Sequence, residues 1–161
     1  MKILNTGGTF NKRYDPLSGE MEVPYDNNAL ETMMKKFLKP IETAGVIYKD
    51  SLEFTLDDRK ILASIIHADE EKVFVIIHGT DTMELTAEFL ETIFDDRIII
   101  LTGAMSPFEI DSIEPTVNFG LAVGYAKACE KNGVYLCMNG EVQPFGKLVK
   151  NKSAGKFEIV L

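Results

Sequence analysis

Cysteine is scarce in this chain of 161 residues: Cys129 and Cys137 are the only two. Neither belongs to a C-x-x-C pair and both lie in apolar surroundings. The pair reads as two buried thiols in a reducing cytosol, which argues against a disulfide framework or a cysteine-held metal. No apolar run reaches the length of a membrane span. Met1-Lys2 passes straight into apolar residues without the charged and hydrophobic regions of a signal peptide, so the expected location is cytoplasmic. Basic residues are outnumbered 17 to 25, for a net charge of −8. That balance offers no general basic face to nucleic acid or to an anionic membrane. Short repeats and low-complexity segments are missing too. So is a nucleotide loop: the glycine pair near the N-terminus fits neither G-x-G-x-x-G nor G-x-x-x-x-G-K-[ST], and the first convincing helix begins some twenty residues later.

What is present is enough apolar material for one core. Hydrophobic residues make up 45% of the chain, and the length suits a single domain, residues 1–161. Ile3-Leu4-Asn5 reads as a strand, followed by a long loop from Thr6 to Asp26. Asn28-Ala29-Leu30-Glu31 has capping-box spacing, and Leu30, Met33, Met34, Phe37 and Leu38 follow helical spacing up to Pro40. Gly45 to Tyr48 reads as a second strand, and Thr55-Leu56-Asp57-Asp58 caps a second helix. The stretches KVFVIIH (Lys72–His78) and RIIIL (Arg97–Leu101) are continuous apolar strands, as expected of strands buried on both faces. Helices are expected from about Met83 to Phe94 and from about Glu114 to Lys131, a strand at Gly133–Met138, and a terminal FEIVL strand. Strands and helices alternate, which predicts an α/β fold: a doubly wound, mainly parallel sheet with helices on both faces, Rossmann-like in its three layers.

Ligands of such sheets bind beyond the carboxyl ends of the strands. Four segments there are polar: Thr6-Gly7-Gly8-Thr9, Asp50-Ser51, His78-Gly79-Thr80-Asp81-Thr82 and Thr102-Gly103-Ala104-Met105. Hydroxyls beside carboxylates suit nucleophilic catalysis or amino-acid binding. A threonine hydroxyl needs an activating neighbour, and the N–H groups of a Gly-Gly turn can donate to an oxyanion. Simpler roles compete for several of these residues. His78, at the end of an apolar strand, reads as a satisfied core histidine, and His67 as a solvent-exposed one. Asp81 with Glu84 has N-cap spacing, so Asp81 can serve both a cap and a site. The tail lysines fit a solvated surface. Asp57-Asp58 and Asp95-Asp96 read as helix-end and turn charges.

Three blocks carry a family resemblance. TGGTF (Thr6–Phe10), HGTDTMELTAEFL (His78–Leu90) and ILTGAMSPF (Ile100–Phe108) resemble, in order, the signature stretches of bacterial-type asparaginases and glutaminases. The related D-type polypeptide of the tRNA-linked amidotransferase shares them. The resemblance covers nearly the whole chain. It implies a threonine amidohydrolase that releases ammonia from the side-chain carboxamide of asparagine or a related small amide. Thr6 resembles the family's loop nucleophile. Thr80 and Asp81 resemble its second threonine and acidic partner, Asp81 also meeting the substrate's α-amino group. Asp50-Ser51 resembles the site for the α-carboxylate. Ala104 matches the backbone carbonyl that meets the carboxamide, and Gly7 and Gly79 match backbone contacts. Thr9 joins Gly7 in placing donors near the oxyanion. No metal and no cofactor is implied.

The chain also departs from the family pattern. Tyr14 is the tyrosine nearest the family's loop tyrosine, with spacing short by several residues. Lys147, Lys150 and Lys152 compete for the family's lysine, with Lys150 preferred. Glu114-Pro115-Thr116-Val117-Asn118 stands where the family has Asp-Gly-Pro-x-Asn. Family members usually carry a second α/β domain that closes a neighbour's site, and the chain corresponds to the first domain only. Two function classes are therefore expected: a weakly active amidohydrolase, or a non-catalytic or partner-dependent module that binds an asparagine- or aspartate-like molecule. A homodimer or homotetramer is expected, with no nucleic-acid and no membrane partner.

Overall fold

The computed structural model describes residues 1–160; Leu161, the end of the expected FEIVL strand, lies outside them. Five parallel strands form the sheet: β1 (Lys2–Gly7), β4 (Glu42–Lys49), β5 (Val73–Ile77), β6 (Ile98–Thr102) and β7 (Gly133–Met138). They lie in the order β4-β1-β5-β6-β7, and β8 (Glu141–Pro144) adds antiparallel to β7 at one edge. Two hairpins stand apart from it, β2 (Arg13–Asp15) with β3 (Glu20–Glu22) and β9 (Leu148–Asn151) with β10 (Lys156–Ile159).

The sheet is buried on both faces. In β5, Phe74 and Ile76 face one core together with Leu62 and Ile66 of α2 (Leu56–Ala68) and Ala87 and Leu90 of α3 (Met83–Glu91). The alternate residues Val75 and Ile77 face a second core with Leu30 and Met33 of α1 (Asn28–Met34) and Phe119, Ala122 and Val123 of α4 (Ile113–Ala128). A strand that must be apolar on both sides of its pleat reads as a continuous apolar run, which is why KVFVIIH and RIIIL carry no alternation. The fold is the expected doubly wound α/β sheet, and the sequence order of its strands reverses between β1 and β5. That switch point is where a doubly wound sheet opens a crevice at its carboxyl edge.

Local differences have identifiable causes. The Thr55 capping box forms, with Thr55 Oγ1 accepting from Asp58 N at 3.2 Å and Asp58 Oδ2 from Thr55 N at 2.8 Å. The spacing at Asn28–Glu31 makes no box. The N-cap is Asn27, without a side-chain cap bond, because its Oδ1 accepts from Asn5 Nδ2 at 2.9 Å. The helix ends at Met34, and Leu38 is 97% exposed rather than on an apolar face. The expected loop from Thr6 to Asp26 contains the β2–β3 hairpin, and β1 continues through Gly7. Asp81 is not a cap: Thr82 precedes α3 and makes no cap bond. Cys137 is buried but Cys129 is only half-buried, and both thiols are free.

Candidate active site

The glycine pair answers to two constraints. Gly7 and Gly8 have φ of 98° and 75°, the left-handed region that favours glycine. A Cβ on Gly8 would also lie 2.5 Å from the Cα of Gly79, so the first and third polar segments touch backbone to backbone. Gly8 N donates to Lys49 O at 2.8 Å, which ties the turn to the end of β4. Inside the turn, Asn5 and Asn11 pair through their amides. Asn5 Nδ2 donates to Asn11 Oδ1 at 3.0 Å, and Asn11 Nδ2 returns a bond to Asn5 Oδ1 at 2.9 Å. Asn5 Oδ1 also accepts from Gly7 N at 3.1 Å. Thr6 is buried, and its hydroxyl donates to Ile77 O at 2.7 Å, across to the end of β5.

The other side of the contact is the His78–Thr82 turn. Lys150, from β9, reaches into it: Nζ donates to Thr80 Oγ1 and to Asp81 Oδ1, both at 2.8 Å. Its backbone N donates to Glu84 Oε1 at 2.6 Å, which pins the hairpin to α3. The buried Ser51 closes the group from the end of β4. Its Oγ accepts from Asp81 N at 3.1 Å and its carbonyl accepts from Thr82 Oγ1 at 2.7 Å. Gly79 leaves room for this approach, since a Cβ there would meet Ser51 Cβ at 2.5 Å.

Asp50 is held by other partners. It pairs with Lys12 Nζ at 2.5 Å and accepts from Leu52 N at 3.0 Å. Burial pushes its carboxyl up, but these two partners outweigh burial and hold it below the usual carboxylate range. Ala104 is fully buried beyond β6. The segment that carries it is fixed by Glu114, whose two oxygens accept from Met105 N at 2.8 Å and Ser106 N at 2.9 Å. Asn118 adds a bond from Nδ2 to Gly103 O at 3.0 Å. Thr9 opens the short turn Thr9–Asn11 that follows the glycines.

Tyr14 is not brought to this cluster. It lies on β2, 58% exposed, with its backbone N–H on Glu109 Oε2 at 3.0 Å. A second tyrosine of the same segment, Tyr25, pairs with Tyr48 at 5.6 Å between ring centroids. Both line a groove of about 470 Å³ that passes Lys12, Asp50 and Leu52. His78 is fully buried, and burial pushes its imidazole down to about 4. It is neutral at neutral pH. Among the described residues, no group of three or more His, Cys, Asp or Glu is placed to hold a metal ion.

Residues 1–157 match the family model for the asparaginase N-terminal region. The chain belongs to the asparaginase family. It is similar to L-asparaginase 2 of Escherichia coli, 43% identical over 86 residues that make up 50% of this chain and 25% of that one. It is also similar to the glutaminase-asparaginase of Pseudomonas aeruginosa, 30% identical over 87% of this chain and 42% of the relative. The D-type polypeptide of the glutamyl-tRNA(Gln) amidotransferase of Methanococcus vannielii is 30% identical over 88% of this chain and 34% of the relative. The asparaginase fold is shared with the thermostable L-asparaginase of Thermococcus kodakarensis. The TM-score is 0.85 at 22% identity, covering 99% of this chain and 51% of that one. A structure of a probable cytoplasmic L-asparaginase from Campylobacter jejuni gives 0.77 at 26% identity, covering 98% and 50%. The chain thus spans about half the length of these asparaginase structures and less than half of the curated relatives. No helix among the described residues is long and apolar enough to cross a membrane.

Proposed function

We propose that the Thr6 and Thr80–Asp81–Lys150 edge is the nucleophile side of an amidohydrolase site acting on the side-chain carboxamide of asparagine or a related small amide. The observation that carries this reading is Lys150 Nζ, 2.8 Å from both Thr80 Oγ1 and Asp81 Oδ1, in a turn whose backbone touches the Thr6 turn. Relatives named for asparaginase and glutaminase-asparaginase activity support the substrate class.

Donor and acceptor roles suggest how the groups divide the work. An ammonium only donates, so Thr80 Oγ1 accepts from Lys150 and its own proton is free to point at a ligand. Thr6 gives its proton to Ile77 O at rest, which leaves the lone pairs of Oγ1 for attack. In the proposed reaction Thr6 Oγ1 bonds to the carboxamide carbon and the C–N bond breaks. Ammonia departs with the Thr6 proton, and water hydrolyses the resulting ester to release the acid. Thr80, with the Thr9 N–H, faces the oxyanion; the N–H groups of Gly7 and Gly8 are committed to Asn5 Oδ1 and Lys49 O. Ser51 Oγ accepts from Asp81 N, so its own proton is available to a substrate carboxylate, while Asp81 meets the α-amino group.

A relative named as part of an amidotransferase favours a second reading, a partner-dependent module that binds a small amino acid. Ammonia release from a panel of small amides, beside thermal shift with aspartate, separates the two. Turnover of asparagine that is lost in Thr80→Ala supports the hydrolase. A thermal shift by aspartate without turnover of any amide supports the module.

A further inference from the structure

Behind the His78–Thr82 turn, α2 and α3 enclose a line of polar groups that the proposed reaction leaves unused. Arg59 of α2 is 8% exposed. Its Nε donates to Thr86 Oγ1 at 3.0 Å and its Nη1 to Phe54 O at 3.1 Å, while Nη2 has no partner. The guanidinium stands 5.5 Å above the Phe54 ring, and that ring packs on His78 at 4.5 Å. The neighbouring acid, Asp58, is committed to Lys49 and Thr55. Thr86 Oγ1 lies 2.9 Å from His78 Nε2, and His78 Nδ1 lies 2.8 Å from Gly79 O. Thr86 and His78 are both fully buried.

The chemistry of these groups fixes the direction of the chain. A guanidinium only donates and a carbonyl only accepts. Thr86 therefore accepts from Arg59 and gives its own proton to His78 Nε2. The neutral imidazole carries its hydrogen on Nδ1 and donates it to Gly79 O. Every bond points the same way, from a buried cation to one carbonyl, and bonds aligned in this manner polarise one another. That carbonyl belongs to the peptide joining Gly79 to Thr80. Drawing electron density toward its oxygen makes the Thr80 N–H a stronger donor, and in a trans peptide this N–H points away from the carbonyl. Thr80 N–H donates to no protein acceptor among the described residues.

We infer that Arg59, Thr86 and His78 form a positioning relay that polarises the Gly79–Thr80 peptide and prepares the Thr80 N–H to hold the oxyanion. The inference rests on the proposed amidohydrolase reading of Thr80. It also gives a reason for Arg59, because a buried guanidinium without a carboxylate is expensive for stability. Behind an oxyanion site its charge has the useful sign, and the relay delivers it without opening the site to water.

Long-range ¹⁵N–¹H correlation spectra of the intact wild-type chain test the relay directly. The expected result is a neutral His78 with hydrogen on Nδ1; hydrogen on Nε2 would overturn the inference without any variant. Thr86→Val then cuts the chain while keeping its shape. The expected results are an upfield shift of the Thr80 amide proton and a fall in kcat of roughly tenfold with KM little changed. Thr86→Ser, which keeps the hydroxyl, should restore both. Equal behaviour of the Val and Ser variants, or an unmoved Thr80 amide, would overturn the relay. The spectra are readable without turnover, so a chain that releases no ammonia yet shows the tautomer and the amide shift refutes the hydrolase reading and leaves the relay standing.

Discussion

Lys150 joins the two groups that the proposed chemistry needs most, the Thr80 hydroxyl and the Asp81 carboxylate. Lys150→Met removes the donor to Thr80 and leaves Asp81 without its cation. Ammonia release should fall by roughly 10²-fold, the scale seen when one preorganised electrostatic group is lost. Thermal denaturation should move little by comparison, because the Asp81 side chain is 32% exposed and water can take over its charge. His78 bears instead on stability. Its folded value, about 4, lies below the ordinary 6.5, so between those values the unfolded chain binds more protons than the folded one. The contribution is fully present above pH 6.5 and is lost as the pH falls through that window toward 4, on the order of 3 kcal/mol in all. Urea denaturation from pH 7 to 4 should show this slope, and His78→Gln should flatten it.

The two turns at the switch point depend on glycine more than on any side chain. Gly8→Ala would place a Cβ 2.5 Å from Gly79 Cα at φ of 75°. We expect a loss of roughly 1–3 kcal/mol, because positive φ and overpacking act together. Activity should fall further than stability, since Thr6 and Thr80 would be pushed apart. Denaturation midpoints read beside ammonia release check both. The same contact shows what could be read in advance. The apolar strands and the hydroxyl-bearing ends of β1, β5 and β6 were legible, because burial on both faces leaves an unmistakable run and the turns follow directly. Choosing among Lys147, Lys150 and Lys152 was harder. The signal was Leu148-x-Lys150: alternate residues of a strand share a face, Leu148 is buried, and Lys150 follows it inward. Asn5 and Asn27 were not legible as partners. They meet 22 residues apart, and their bond uses the side chain that would have capped α1. Tyr14 is the tyrosine nearest the glycines in sequence, with a spacing short by several residues, and the β2–β3 hairpin holds it exposed; Tyr25 lines the groove past Lys12 and Asp50.

At the scale of the whole molecule, the chain spans about half the length of the asparaginase structures that share its fold. In the proposed reaction the chain by itself offers Ser51 and Asp81 to the α-groups of a substrate, at an edge of the sheet. Each further charge-assisted hydrogen bond that an enclosing surface could add is worth roughly 1.5–3 kcal/mol, so two of them change KM by about a hundredfold or more. We expect slow turnover by the isolated chain, saturating only at millimolar asparagine, and a homodimer or homotetramer by light scattering as concentration rises. Micromolar KM from a monomer would contradict both expectations. In the proposed reaction Thr6 supplies the oxygen of a covalent intermediate. Acid-quenched incubation with asparagine, followed by intact-mass and peptide mapping, tests it most directly. We expect an aspartyl ester on the peptide that contains Thr6, absent from Thr6→Ala. An ester on Thr80, or ammonia release that survives Thr6→Ala with no adduct on the wild-type chain, would contradict it.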